Sequence, residues 1–313
     1  MQIYKQFERS RMIPTLSLLV AMILWASSFV ALKIAFRHYD PMVVIFGRML
    51  VASVCFLCIL HRFRGAFTYR KGDIRTIFLM TLCEPCVYFI LEAKAVENTT
   101  ASQAGMITPM MPLMVAIAAW IFLKERISAK TLSGFVIAII GACWMSSASQ
   151  TSESAPNPAL GNFLEFLAMI CAAVYTILMK RLTRRYPPFF LTGIQALAGG
   201  VFYFGMLFFP STALPTTFDP VSTLAIIYLG SFITLGAYGC YNFGVSCIPA
   251  SQASAFVNLI PVLTVFFGWL VLGEQFTASQ YLAALLVFAG VLISQKGHVK
   301  EAVDMTAMKE HPL

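Results

Sequence analysis

Apolar stretches of helical length alternate with short polar or proline-marked joints along almost the whole chain. They run roughly over 13–34, 42–60, 74–93, 99–123, 131–148, 160–179, 189–209, 222–243, 250–272 and 279–295. A helix needs about 20 apolar residues to cross a bilayer core, so the pattern predicts an all-α integral membrane protein with ten transmembrane helices. The joints carry turn chemistry: Asp40-Pro41, His61 to Lys71, Lys124 to Lys130, Ser152 to Pro158, Pro187-Pro188 and Pro215 to Pro220. The first stretch is too long for a removable signal peptide and lacks the small-residue cleavage pattern, so it is expected to stay as an anchor.

Composition sharpens this picture. Of 313 residues, 59% are hydrophobic and 12% charged, against about 45–50% and about 25% in soluble domains, which excludes a water-soluble fold. The net charge of +8 sits in short clusters between apolar runs, so nucleic acid is not an expected partner. Eighteen of the 22 Lys and Arg fall before span one, after spans two, four and six, and after span ten. Basic residues are retained on the cytoplasmic side, so both termini are expected there. Lys33, Arg37 and Lys94 alone fall in joints on the other side, and Arg48 lies inside a span.

An internal repeat organises the chain. An offset of 149 superposes Ala101-Ser102-Gln103-Ala104 on Ala250-Ser251-Gln252-Ala253, Pro112 on Pro261, Trp120 on Trp269, Glu125 on Glu274 and Gly141 on Gly290. Nearer the start the offset is 147, pairing Lys33 with Lys180, Pro41 with Pro188 and Arg48 with Gln195. Five spans per half force the second half to enter the membrane upside down. Secondary transporters built this way place their substrate near the midplane between the halves. The expected organisation is a five-helix repeat over 13–148, an extracytoplasmic linker over 149–159, a second five-helix repeat over 160–296 and a cytoplasmic tail over 297–313.

Each half runs from small residues through a mid-span proline to a Leu-x-Glu end and a final span ending in glycine: Pro112, Leu123-Lys124-Glu125 and Gly141, then Pro261, Leu272-Gly273-Glu274 and Gly290. With Leu24-Trp25-Ala26-Ser27-Ser28-Phe29 in span one, the chain resembles the EamA type of the drug/metabolite transporter superfamily over about residues 14–296. Two positions depart from the family pattern: Ala26 follows the tryptophan where Gly is frequent, and Ala283 stands where Gly134 stands in the first half. The resemblance implies ten helices in two inverted repeats and the movement of small metabolites, often outward.

Ionisable residues in the bilayer interior cost about 2.5 kcal/mol or more and mark pathways or relays. Arg48 and Glu84 are expected at similar depth, where they can form a structural ion pair or take part directly in substrate or proton work; Glu165, early in span six, reads as interfacial or facing water. An apolar setting favours a neutral Glu84 unless Arg48 holds it ionised, a balance in which a carboxyl can load and release a proton. Around Cys83-Glu84-Pro85-Cys86-Val87-Tyr88 the proline removes a backbone hydrogen bond and Tyr88 shares a face with Glu84. Pro112 and Pro261 interrupt spans four and nine, with Asn258 beside the latter. Trp25, Ser28, Tyr175, Tyr238 and Asn242 complete the expected substrate cavity, whose aromatic rings suit planar, amphipathic or cationic ligands.

The cysteines, including Cys55/Cys58 and Cys83/Cys86, lie within apolar helices and read as packing residues, and the four His have no ligand spacing. With neither nucleotide-binding nor protease motifs, no enzyme activity, metal or cofactor is expected. The partners expected are a small-molecule substrate, membrane lipid and protons as a candidate coupling ion. The sequence favours an exporter of an amino acid, purine or amphipathic cation across the inner (plasma) membrane by alternating access. The alternatives are a nucleotide-sugar or sugar-phosphate antiporter of the same superfamily, or a membrane-embedded enzyme or receptor.

Overall fold

The structure, a computed structural model, describes residues 12–63, 69–123 and 129–293. The Lys124-Glu125 end of the first repeat's motif, the side chain of Trp120, the basic residues of both termini and the tail over 297–313 lie outside the described residues. The described chain is helical, with one isolated bridge between Ser152 and Ala155. The helices are α1 (Met12–Ala35), α2 (Pro41–Ile59), α3 (Asp73–Asn98), α4 (Ala101–Ile107 continued by Met110–Leu123), α5 (Ala129–Ser147), α6 (Pro158–Leu182), α7 (Pro188–Met206), α8 (Pro220–Cys247), α9 (Ala250–Leu272) and α10 (Ala278–Ile293). All but α5 and α10 are long and apolar enough to cross a membrane; those two carry the shorter apolar stretches Leu132–Ser147 and Ala278–Ile293.

The joints read from the sequence act as caps. Asp40 accepts the Met42 amide at 2.8 Å, Asn157 that of Leu160 at 3.2 Å and Asp219 that of Ser222 at 2.7 Å, each ahead of a proline in the first helical turn. Such residues satisfy amides that a helix start leaves unpaired, and proline there forfeits nothing. The Ser222 amide also holds the Asp219 carboxyl below the usual carboxylate range.

Contacts between joints sort the helix ends into two groups. At one end Tyr39 meets Asp219 and Thr223, Lys33 donates to the Ser154 carbonyl, Asn157 donates to the Asn98 carbonyl, and Glu274 accepts the Ala101 and Ser102 amides at 2.9 and 2.8 Å. At the other, Asp73 is held by Arg185 and Tyr186, and Lys180 donates to the Val245 and Ile248 carbonyls. Successive helices therefore run in alternating directions. Leu50, Val54, Phe78, Phe204, Phe232, Val262 and Leu285 point outward, whereas Arg48, Glu84, Glu92 and Glu165 are buried. Apolar outside and polar inside is the arrangement a bilayer demands.

Two helices meet through repeat-equivalent glycines. A Cβ on Gly141 of α5 would sit 2.7 Å from the Val287 amide nitrogen of α10, and one on Gly290 would sit 2.5 Å from that of Ala138 in α5. Val287 and Ala138 are themselves 149 residues apart, so each helix presents the same patch to the other. Close backbone approach through small residues is a usual way for membrane helices to associate. Because the obstacle is backbone, Gly290→Ala and Gly141→Ala should each lower stability by about 1–3 kcal/mol, the cost of overpacking. Gly205→Ala, with nothing within 4 Å of the added carbon, should leave the thermal midpoint of the detergent-solubilised protein unchanged or raised; equal midpoints for all three variants would contradict this packing.

Candidate functional site

Four helices lose their regular geometry at matched places. α3 breaks at Glu84, whose φ of −149° and ψ of 117° are extended, within a wide turn over Leu82–Val87 that carries a cis Glu84-Pro85 bond. α8 opens into a wide turn over Leu229–Ala237. α4 is interrupted at Thr108-Pro109, and α9 tightens into a 3₁₀ turn over Phe256–Leu259 just before Pro261. Side chains of the other half donate to carbonyls at this break: Gln195 to that of Glu84 at 3.1 Å, and Tyr203 to those of Pro85 and Cys86 at 3.1 and 2.6 Å, the Pro85 carbonyl also accepting the Tyr88 amide.

Between these interruptions lies a small cavity, with a volume of about 40 Å³. Seven of the eleven residues expected there line it: Trp25, Ser28, Arg48, Glu84, Tyr88, Tyr175 and Tyr238. Their rings pack edge to face, with Trp25 5.0 Å from Tyr238 and Tyr175 6.4 Å from Tyr238. Tyr241 joins them, 4.8 Å from Trp25. Much of the lining falls into pairs with the offsets of the repeat. Trp25 and Ala172, and Ser28 and Tyr175, are 147 apart; Glu84 and Ile233, Glu92 and Tyr241, Thr108 and Val257, and Met111 and Ile260 are 149 apart.

Four expected residues do not line the cavity. Asn242 is spent behind the wall, accepting from Tyr175 at 2.7 Å and donating to Thr192 at 2.9 Å. Pro112 and Pro261 follow the breaks, which expose their neighbours Thr108, Met111, Val257 and Ile260, and Asn258 lies buried in the 3₁₀ turn. These residues shape the walls from behind.

The ion pair differs from the expectation. Arg48 meets Glu92, at 3.5 Å between Nη1 and Oε2, rather than Glu84. Its Nε donates to Thr234 Oγ1 at 3.0 Å, and its guanidinium lies 4.1 Å from the centre of the Phe89 ring, a cation–π contact. Tyr88 donates to Glu92 Oε1 at 3.0 Å, while Glu84 accepts from the Tyr238 hydroxyl. Glu92 escaped the sequence reading because span three was closed at residue 93, which put it at the surface; α3 continues to Asn98 and carries it inside. Glu165 is a second correction: it is fully buried, not interfacial, and neither carboxyl oxygen has a hydrogen-bond partner among the described residues.

Among the described residues no three His, Cys, Asp or Glu side chains gather as a metal site, and the cysteines are unpaired. The arrangement offers aromatic faces, one guanidinium and two lining carboxyls to a small guest. Removing one partner of a buried pair costs about 3–5 kcal/mol, whereas exchanging both for apolar groups is often neutral. Arg48→Leu and Glu92→Leu should therefore each lower the unfolding midpoint more than the double variant does. Additive losses across that double-mutant cycle would count against the pair.

The comparisons with known proteins bear on this arrangement. The EamA-like transporter family matches residues 12–147 and again 159–295. An uncharacterized transporter of Bacillus subtilis, YetK, is 24% identical, over 89% of this chain and 85% of its own. A protein of Chlamydia muridarum named as an S-adenosylmethionine/S-adenosylhomocysteine transporter is 23% identical, over 81% of this chain and 82% of its own. A crystal structure, 16% identical, superposes with a TM-score of 0.64 over 91% of this chain and 97% of that one, which speaks for the fold. With the family matching in both halves and, among the described residues, eight helices suited to crossing a membrane, this multi-pass membrane chain belongs to the EamA-like transporter family.

Proposed function

We propose that the chain is a ten-span secondary carrier of the inner (plasma) membrane. It exports a small amphipathic metabolite bearing a positive charge by alternating access of two inverted repeats, 13–148 and 160–296. The linker over 149–159 is extracytoplasmic, and the tail over 297–313 is cytoplasmic with the N-terminus. The observation that carries this reading is the cavity: its lining falls on repeat-equivalent pairs, and its chemistry is an aromatic cage around a carboxyl held by Tyr238. Matched interruptions in the two halves are where such carriers bind substrate.

The charges favour a cation or a zwitterion. Arg48 is paired with Glu92 in the state seen here, which leaves Glu84 as the group to meet an ammonium or sulfonium, with Trp25, Tyr175 and Tyr238 offering their faces. The name of the chlamydial relative is in keeping with a substrate of this kind, since S-adenosylmethionine is a sulfonium zwitterion with a planar base. Amino acids and purines remain in the same class by size. A nucleotide-sugar or sugar-phosphate brings two or more negative charges to a wall with more carboxyls than guanidiniums, so the antiporter reading is disfavoured. Glu84, emptied of substrate, takes a proton in its place.

Two experiments test this. Reporter fusions after Gln150 and at Leu313 should report opposite sides of the membrane; the same side for both would end the five-plus-five arrangement. In liposomes, S-adenosylmethionine, amino acids, a purine, a cationic dye and a nucleotide-sugar are offered to wild type, Glu84→Gln and Tyr238→Phe. Saturable transport is expected within the cationic or zwitterionic group. Glu84→Gln should weaken apparent affinity by about tenfold or more, about 1.4 kcal/mol, and abolish accumulation driven by a pH gradient, with Tyr238→Phe milder. Transport confined to the nucleotide-sugar, or full gradient-driven transport by Glu84→Gln, would overturn the reading.

A further inference from the structure

Glu165 has no part in the cavity wall, yet it is completely buried in α6 with both oxygens lacking a hydrogen-bond partner among the described residues. Met169, one turn on along the same face, does line the cavity. The half of α3 that carries Tyr88 and Glu92 packs against α6 more extensively than any other described segment does. Glu92 faces the other way as well, toward Arg48, and its Oε2 has that ion contact but no hydrogen bond.

Among the described residues no basic side chain is in ion-pair or hydrogen-bond contact with Glu165. α3 carries Glu92 and Tyr88 in the half that packs on α6, Cys83 and Glu84 at its break, and Asp73, Arg75, Lys94 and Glu97 toward its two ends, while α6 itself adds Cys171 and Tyr175 and, at its far end, Lys180 and Arg181. The described parts of α4 and α9 that pack on α6 bring no titratable side chain, α5 carries only the exposed Lys130 and Cys143, and α8 contributes Tyr238 and Tyr241. Arg48, the one basic residue lining the cavity, can balance one carboxylate. With Glu92 beside it, a second ionised carboxyl at Glu165 would stand uncompensated in the bilayer interior, where a charge costs about 2.5 kcal/mol or more.

We propose that Glu165 and Glu92 form a second proton-binding site of the carrier, lying behind the cavity and distinct from Glu84. In the state seen here the proton is covalently held on Glu165 while Glu92 pairs with Arg48. When an acidic group of the substrate draws Arg48 away, Glu92 loses its counter-charge and takes up a proton from water entering the cavity; its release returns Arg48. Glu92, which lines the cavity from the helix segment that packs on α6, is the route by which the buried proton exchanges with solvent. The substrate-linked part of this scheme rests on the transport reading above, whereas the proton on Glu165 does not.

The test uses the full chain in lipid membranes, with the proton itself as probe. Infrared difference spectra recorded while pH is varied should contain the C=O stretch of a protonated carboxyl that survives Glu84→Gln. Glu165→Gln should remove that signal and Glu165→Asp restore it at a shifted frequency. Glu92→Gln should keep the Glu165 band in the absolute spectrum but slow both its response to pH and its exchange in heavy water, since the route is blocked. Should Glu165→Gln fold poorly, Glu165→Met, which replaces a neutral buried side chain by an apolar one of similar size, serves for the same subtraction. An unchanged signal in Glu165→Gln or Glu165→Met would overturn the proposal. So would a Glu165 signal that neither titrates nor exchanges in wild type, the mark of a sealed structural carboxyl. Neither result depends on a transported substrate, so failure here is distinct from failure of the carrier reading.

Discussion

Backbone groups released inside a membrane bundle have no water to turn to, and in this chain side-chain donors for the break at Glu84 come from the opposite half, beside the Tyr88 amide of α3 itself. Gln195 and Tyr203 of α7 hold the carbonyls of Glu84, Pro85 and Cys86. Had that end of the wall been satisfied within its own half, the two halves could pack with no fixed relation there. Because it is not, the break in α3 fixes where α7 lies, and Tyr175 and Asn242 follow: Tyr175 donates to Gln195, and Asn242 bridges Tyr175 to Thr192. The cavity is the space left over once these obligations are met.

The halves contribute unequally to that space. Arg48, Glu84 and Glu92 all belong to the first, and the positions equivalent to them in the second are Gln195, Ile233 and Tyr241. A repeated backbone supplies equivalent positions on both sides of the cavity, but two mirrored sets of charges would have doubled the cost of burying them. Divergence between the halves resolves this, with one wall polar and the facing wall aromatic and aliphatic. A guest with a charged end and an apolar body therefore has one favoured orientation.

Much of the helix pattern was legible because it depends on local chemistry. Asp40-Pro41, Asn157-Pro158 and Asp219-Pro220 announce helix starts by residue type alone, and the small-residue and proline positions repeat at a fixed offset. The cavity was legible in part, since Trp25, Glu84, Tyr175 and Tyr238 stand out as polar or aromatic groups at mid-span. What failed was azimuth. Depth along a helix follows from counting residues, and it placed Arg48 level with Glu84; the extended residue at the break turns the two halves of α3 relative to one another, and the long Arg48 side chain reaches Glu92 instead. Glu165 was misjudged for a related reason. Its burial comes from α3 lying across α6, a tertiary contact with no signature in the local sequence.

The distribution of ties between the halves bears on how such a bundle can rock. At one end Glu274 holds the start of α4 through two amides, and at the other Arg185 and Tyr186 hold Asp73. Both clamps sit at helix ends, and Glu274 and Arg185 are partly exposed. Water can replace their partners when they part, which keeps the net loss small. The ties at mid-depth have no such substitute: separating Gln195 from Glu84 or Tyr203 from Pro85 would strand polar groups in a dry interior at about 1–3 kcal/mol each. Motion that opens one end at a time while preserving the mid-depth contacts costs least. In the alternating-access reading proposed above, the broken segments of α3 and α8, tied at mid-depth through Gln195, Tyr203 and the Tyr238–Glu84 bond, form the pivot.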